Sequence, residues 1–99
     1  MYSAYAATKS AVDRLSKVLA AEFGPSGIRV NVVSPGLTRT DMLSAMPKEA
    51  LTKMVDEDTA LRRLGDPEDV AQSIVWLASD RASWVTGQIV QASGGLLLG

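Results

Sequence analysis

Two side chains near the start of the sequence, Tyr5 and Lys9, have the types and the spacing that proton transfer requires. Residues four apart on an α-helix lie on one face, with their Cβ atoms about 5–6 Å apart. An ammonium group beside a phenol stabilises the phenolate, so such a phenol can act as a general acid or base. The pattern Y-x-x-x-K is short, and an ordinary exposed pair is the simpler interpretation when it stands alone.

Two absent residue types narrow the chemistry further. The sequence contains no Cys and no His, which excludes disulfides, thiolate nucleophiles, His-dependent triads and metal sites built on Cys or His. We therefore predict no metal site, and acid–base chemistry falls to Tyr, Lys, Asp and Glu. The net charge of −1, from ten basic and eleven acidic residues, argues against nucleic acid or an anionic membrane surface as a partner.

The sequence also shows no targeting or membrane-spanning pattern. Its first ten residues, MYSAYAATKS, lack the apolar run of a secretory signal. No stretch approaches the roughly 20 apolar residues that cross a bilayer. A cytoplasmic location is the resulting prediction.

Hydrophobic periodicity and turn residues predict the elements that would position Tyr5 and Lys9. Ninety-nine residues suffice for one modest core, since a chain of this mass can bury roughly 64% of its unfolded surface. Pro47 and Pro67 each open a helix, and Asp66 precedes the second of these as a cap. The main predicted elements are a helix over 3–23, a strand over 28–33, a helix over 67–79 and a strand over 88–92.

The order of these elements indicates an α/β fold. Two strands joined by a long helical connection are most naturally parallel, with a right-handed crossover. Two parallel strands do not make a complete sheet, and their open edges favour pairing with other strands. The sequence therefore looks like part of something larger or half of an oligomer.

Several segments together resemble the short-chain dehydrogenase/reductase family. The Y-A-A-T-K-S-A-V segment, followed by L-x-x-x-L-A-x-E, resembles the family's catalytic helix, and I-R-V-N-V-V-S-P-G resembles its next strand and turn. R-L-G-D-P-E-D-V-A resembles a late helix start in that family. In order and with matching gaps, the resembling segments are residues 5–12, 15–22, 28–36, 38–42, 63–71 and 85–95. The resemblance implies a single partial domain over 1–99, the C-terminal part of a Rossmann-like doubly wound parallel sheet with about two strands and three to four helices.

The resemblance implies an NAD(P)-dependent oxidoreductase that moves hydride between nicotinamide and a small carbonyl or alcohol substrate. In that family Tyr5 would be the general acid or base, and Lys9 would assist it and hydrogen-bond the nicotinamide ribose. The cofactor would be NAD or NADP. The cofactor-binding residues so implied are Tyr5, Lys9, Pro35, Gly36, Leu37, Thr38 and Thr40.

Each of those residues has an implied task. Pro35 and Gly36 would shape the nicotinamide pocket, backbone groups around Leu37 and Thr38 would meet the carboxamide, and Thr40 would add a hydroxyl contact. Residues 41–61 would form a mobile lid over the substrate. The apolar side chains of that segment suggest an apolar substrate, although core packing explains them equally well.

The sequence departs from the family's pattern in three ways. The 99 residues contain no T-G-x-x-x-G-x-G phosphate loop, no residue that selects NAD over NADP, and no Ser about a dozen residues before Tyr5. Ser3 lies too close to Tyr5 to replace that Ser, and Ser93 stands where family members often carry Asp. We therefore expect this chain alone to bind a dinucleotide poorly, and its independent activity to be doubtful.

A second hypothesis belongs to a different class of function. The chain would be a non-catalytic self-associating or interaction module, a homo-oligomer that pairs open strand edges and the apolar face of its first helix. In the family this helix helps to build a subunit interface, and the final strand region builds another. A Ser-dependent hydrolase ranks last, because the sequence has no G-x-S-x-G motif and no His.

Overall fold

The computed structural model describes residues 2–96 of the chain. Its regular elements are three α-helices and two short strands, joined by single helical turns. In chain order they are α1 (Tyr2–Phe23), β1 (Val32–Pro35), α2 (Lys48–Lys53), α3 (Pro67–Ala78) and β2 (Ile89–Ala92).

The two strands lie side by side and parallel, which makes the chain an α/β protein as predicted. The connection between them contains α2 and α3, so it has the length and helical content that a parallel crossover needs. A strand pair of this size leaves one edge of each strand without a neighbouring strand among residues 2–96.

The described residues divide into two compact units. The first unit comprises residues 2–32 and 76–90, and the second comprises residues 33–75 and 91–96. The boundary falls within both strands and within α3. The single partial domain expected over residues 1–99 stays a prediction.

The first strand begins later than the sequence predicts. A strand was expected over 28–33, whereas β1 covers Val32–Pro35. Just before β1, the side chain of Asn31 bonds to the segment that precedes β2: its amide donates to the carbonyl of Val85 at 2.9 Å, and its oxygen accepts from the backbone N–H of Gln88 at 3.0 Å. Side-chain hydrogen bonds of this kind compete with a regular ladder.

The segment predicted to be the lid, residues 41–61, consists of short helical pieces. A 3₁₀ turn spans Asp41–Ala45, α2 follows Pro47, and one turn of π-helix spans Met54–Asp58. Thr59 ends this run and is buried, with its hydroxyl donating to the carbonyl of Met54 at 3.0 Å. The π-helical turn is thus followed by a buried residue, Thr59, whose side chain is hydrogen-bonded to the first residue of that turn.

The buried hydrophobic residues among those that the structure describes all belong to the first unit. They are Ala20, Leu77 and Ala82. This is a smaller core than the one the composition predicts, since two of the three are alanines.

Arg29 ties the C-terminal end of α3 into the first unit. Its guanidinium donates to the carbonyls of Leu77 at 2.7 Å, Ser79 at 3.1 Å and Val85 at 3.2 Å. The last carbonyls of a helix have no partner within the helix, and a cation there also complements the helix dipole. Arg29 therefore donates hydrogen bonds to carbonyl groups at the C-terminal end of α3 and just after it.

Within residues 2–96, no helix is both long and apolar enough to cross a membrane.

Candidate active site

Tyr5 and Lys9 lie one turn apart on α1, in the first unit. The helix runs unbroken from Tyr2 to Phe23, so the four-residue spacing places both side chains on one face. Tyr5 is 68% exposed and Lys9 is half-buried. Between them, the hydroxyl of Thr8 donates back to the helix, to the carbonyls of Ala4 at 2.6 Å and Tyr5 at 3.0 Å. The Tyr5 phenol is thus open to a reacting molecule.

Pro35 and Gly36 lie at the end of β1 in the second unit. Pro35 is exposed and ends β1, and the N–H of Gly36 donates to the carbonyl of Ala92 at 3.2 Å. A Cβ on Gly36 would lie 2.7 Å from both Cα and Cβ of Ser93 and 2.9 Å from its carbonyl oxygen. The close approach of these two backbones explains why residue 36 has no side chain.

Leu37 and Thr38 follow Gly36 and pair with the loop before α3. Thr38 forms an isolated parallel bridge with Gly65. The N–H of Gly65 donates to the carbonyl of Leu37 at 2.9 Å, and the N–H of Arg39 donates to the carbonyl of Gly65 at 2.7 Å. Because successive peptide groups of an extended chain point to opposite sides, the N–H and C=O of Thr38 face away from Gly65.

Thr40 is exposed and stands before the 3₁₀ turn Asp41–Ala45. Its carbonyl accepts from the N–H of Leu43 at 3.1 Å, but its hydroxyl makes no capping bond to this turn. The Thr38 hydroxyl, by contrast, donates to the carbonyl of Gly36 at 3.1 Å.

A cluster of charges that the sequence analysis missed lies beside this segment. The Asp69 carboxylate accepts two bonds from Arg63, at 2.9 and 3.3 Å, and one from the backbone N–H of Asp66 at 2.8 Å. The hydrogen bond from Arg63 is the main reason why the pKa of Asp69 is lowered. Asp66 was expected to cap α3; instead its carboxylate accepts from Nε of Arg39 at 3.1 Å.

The D-x-x-D spacing of residues 66–69 was a signal that could have revealed this arrangement. In a capping box, the acidic side chain at the third helical position bonds back to the N–H of the residue that precedes the helix. Asp69 makes that bond to Asp66. The sequence predicts Asp66 as the cap and Asp69 as a charge that complements the helix dipole, and the structure adds the bond between them.

The second unit also contains an open groove of about 220 Å³, lined in part by Leu37, Leu61 and Val70. Pockets for drug-sized ligands usually measure about 300–1,000 Å³. The groove is therefore smaller than the usual site of a drug-sized ligand. Among residues 2–96, no group of three or more Asp or Glu side chains has the arrangement of a metal site.

The predicted site residues thus fall into two sets. Tyr5 and Lys9 belong to the first unit, and Pro35, Gly36, Leu37, Thr38 and Thr40 belong to the second. Within each set the residues are brought together, by one helical turn in the first and by the Gly36–Ser93 and Thr38–Gly65 contacts in the second. The catalytic and cofactor-binding roles of all seven stay predictions.

The fold and these local arrangements define an α/β protein of the Rossmann type, and comparison with known proteins gives its family. A family model described as Enoyl-(Acyl carrier protein) reductase matches residues 1–97. The chain belongs to the short-chain dehydrogenase/reductase family.

Individual relatives are similar over nearly the whole chain. A 3alpha-hydroxysteroid dehydrogenase of Mediterraneibacter gnavus is 51% identical over 90 residues, which are 91% of this chain and 36% of that protein. The crystal structure of a 3-oxoacyl-[acyl-carrier protein] reductase from Brucella melitensis has a TM-score of 0.89 and 45% identity, covering 96% of this chain and 35% of that one. A 4-hydroxyisoleucine dehydrogenase complexed with NADH has a TM-score of 0.85 and 37% identity, covering 98% and 40%. The chain thus spans little more than a third of the length of the relatives it matches.

Proposed function

We propose that this chain supplies the proton-transfer part, and one side of the nicotinamide site, of an NAD(P)-dependent oxidoreductase acting on a small carbonyl or alcohol substrate. One observation carries the proposal: Tyr5 is largely exposed and lies one helical turn from Lys9, in a chain whose family match covers residues 1–97. The two side chains are the pair that the reaction's proton step needs.

Bound nicotinamide would supply the hydride for carbonyl reduction. The Tyr5 phenol would donate its proton to the carbonyl oxygen as the oxygen gains charge, which leaves a phenolate on Tyr5. Lys9, one turn along the same face of α1, would assist Tyr5 in this step and hydrogen-bond the nicotinamide ribose. In the direction of alcohol oxidation the phenolate accepts the proton from the hydroxyl.

The second set of residues would hold the nicotinamide. Because the bridge to Gly65 occupies the Leu37 carbonyl and the Arg39 N–H, the outward N–H and C=O of Thr38 are the backbone groups suited to the carboxamide. The Thr40 hydroxyl, which makes no bond to the turn that follows it, is suited to a further polar contact. Pro35 and Gly36 would shape the wall of the nicotinamide pocket.

The cofactor of this proposal is NAD or NADP, and a cytoplasmic location belongs to the proposal as well. The relative complexed with NADH supports a nicotinamide cofactor. The names of two relatives contain a hydroxysteroid and an oxoacyl substrate, which supports a hydroxyl or carbonyl as the reacting group. The 99 residues contain neither a Gly-rich phosphate loop nor the residue that selects between the two cofactors.

A chimaera tests the proposed function. This chain would replace the matching 35% of the Brucella melitensis reductase, to which it is 45% identical. We expect the purified chimaera to bind NADH or NADPH by calorimetry and to reduce that reductase's own substrate. A chimaera that keeps the parent's circular dichroism and cofactor affinity but reduces nothing would contradict the proposal.

A non-catalytic self-associating module is the second candidate, and the surface of α1 favours it. Val12, Leu15 and Val18 recur at three-residue intervals along one side of this helix, and all three are exposed. An apolar stripe of this kind favours burial against another surface, and a second copy of the chain is the partner we propose.

Changing one residue of the stripe tests this candidate. If α1 holds two or more copies together, Leu15→Glu should reduce the mass measured by light scattering to that of one chain, because a buried carboxylate is costly. Ala6→Glu is the matched control, since residue 6 is exposed and lies on the side of α1 opposite to Leu15. An unaltered chain that is monomeric at high concentration would remove this candidate.

A further inference from the structure

We propose that Arg63 and Asp69 are positioning residues for the 37–40 segment, which they hold through the loop before α3. Both ion pairs found among residues 2–96 lie at this place: Arg63 with Asp69 and Arg39 with Asp66. We call these four side chains the latch. That the latch serves cofactor binding rests on the proposed function, whereas its mechanical part stands on the contacts alone.

The first step of the argument is the fixing of the loop. Asp69 sits in the first turn of α3 and accepts hydrogen bonds from both terminal nitrogens of Arg63 and from the N–H of Asp66. Arg63 Nη1 also donates to the carbonyl of Leu64 at 3.0 Å. One carboxylate therefore holds both ends of the loop 63–66, and paired N–H···O bonds from a planar guanidinium fix its orientation as well.

The second step concerns the contacts by which the held loop 63–66 fixes the 37–40 segment. Gly65 lies in the middle of the held loop and is bonded to residues on both sides of Thr38, through the Leu37 carbonyl and the Arg39 N–H. Arg39 makes a second link, from Nε to the Asp66 carboxylate at 3.1 Å. A shift of the loop would move Thr38, whose outward backbone groups are those we assign to the carboxamide.

The third step compares the effect of the two ion pairs on local geometry with their effect on the global stability of the chain. The side chains of the Arg63–Asp69 pair are 54% and 41% exposed, and those of the Arg39–Asp66 pair are 69% and 58% exposed. Ion pairs at such exposure contribute little to global stability. Their main effect is therefore expected to be local, on the geometry of residues 37–40 and 63–66.

Amide hydrogen exchange of the 99-residue chain, read residue by residue by NMR, tests the latch. In Asp69→Ala we expect the amides of Arg39 and Gly65 to exchange about 3- to 10-fold faster, whereas that of Leu51 in α2 is unchanged. Arg63→Gln, which leaves the Asp69–Asp66 bond intact, should accelerate the same two amides. Glu68→Ala is the matched control, because it removes one negative charge from the same first turn of α3. Equal exchange in Asp69→Ala and Glu68→Ala overturns the proposal.

The salt dependence of amide exchange distinguishes an electrostatic role of Arg63 and Asp69 from a role in packing alone. Raising the ionic strength from about 0.01 to about 1 M shortens the screening length from about 30 to about 3 Å. Exchange at Arg39 and Gly65 should therefore become faster with salt in the unaltered chain, and the salt effect should be smaller in Asp69→Ala. Identical salt dependence in both chains contradicts an electrostatic latch.

The link to the cofactor is measured separately, from the NMR shift of the Thr38 amide at millimolar NADH. We expect Asp69→Ala to weaken this response at least about 3-fold relative to Glu68→Ala, a ratio that corresponds to a modest change in affinity. Equal responses overturn the cofactor role of the latch. If the unaltered chain shows no response, the proposed cofactor role of the 37–40 segment fails, and the exchange results still decide whether the latch holds that segment.

Discussion

Tyr5→Phe should lower the rate of carbonyl reduction by the chimaera about 10²- to 10⁴-fold, the usual range for loss of a general acid or base. The substitution removes one oxygen atom, and with it the proton that our mechanism delivers to the substrate. Since Tyr5 is 68% exposed in the 99-residue chain, the free energy of unfolding of that chain should change by no more than about 0.5 kcal/mol. The measurements are kcat and KM of the chimaera by NADH absorbance, together with urea unfolding of the 99-residue chain.

Tyr2→Phe is the matched control for this prediction. It makes the same chemical change in the same helix, at a residue that is not four positions before a Lys. It should leave kcat within the error of the unaltered chimaera. If Tyr5→Phe retains full activity, the phenol is not the proton donor. If both variants lose activity equally, the loss does not report on the Y-x-x-x-K spacing.

The helices were predictable from the sequence because their signals are local. Gly24 and Pro25 indicate a helix end, and α1 ends at Phe23. Pro67 favours the first position of a helix, and α3 begins there. Each of these signals acts within a few residues of the boundary that it sets, so no knowledge of the rest of the chain was needed.

The errors occur where contacts distant in sequence decide the local structure. β1 starts at Val32 instead of residue 28, and the side chain of Asn31, just before it, bonds to the backbone at residues 85 and 88. Asp66 was predicted as a cap, but a partner 27 residues away, Arg39, takes its carboxylate. Such choices depend on which segments meet in the fold, and residue types alone do not specify that.

The candidate site shows both situations. The pairing of Tyr5 with Lys9 follows from helix geometry and is visible in the sequence. The P-G pattern at residues 35 and 36 predicts a turn, whereas in the structure β1 extends to Pro35 and Gly36 lies against the backbone of Ser93, 57 residues later. The bridge between Thr38 and Gly65, which decides which backbone groups face outward, has no sequence signal that we can identify.

Gly36→Ala is the second prediction with a large expected effect. The added methyl would lie 2.7 Å from Cα and Cβ of Ser93 and 2.9 Å from its oxygen, closer than van der Waals contact allows. Because the obstacle includes backbone atoms, the strands' ends must move apart, and overpacking of this kind costs about 1–3 kcal/mol. The midpoint of urea unfolding should fall accordingly, as followed by circular dichroism of the 99-residue chain.

Two further variants show whether close approach is the cause. Gly24→Ala makes the same change where the described part of the chain has no atom within 4 Å of the new Cβ, so it should be neutral or stabilise by about 0.4–1 kcal/mol through a less flexible unfolded chain. Adding Ser93→Gly to Gly36→Ala removes the Ser93 Cβ but leaves its Cα and carbonyl oxygen in place, so it should restore only a minor part of the loss. Full recovery in the double variant would mean that a side chain, and not the backbone of Ser93, limits residue 36. A Gly36→Ala chain as stable as the unaltered one would show that the backbones at residues 36 and 93 can move apart without cost. A segment that moves so easily would be a poor wall for a nicotinamide ring.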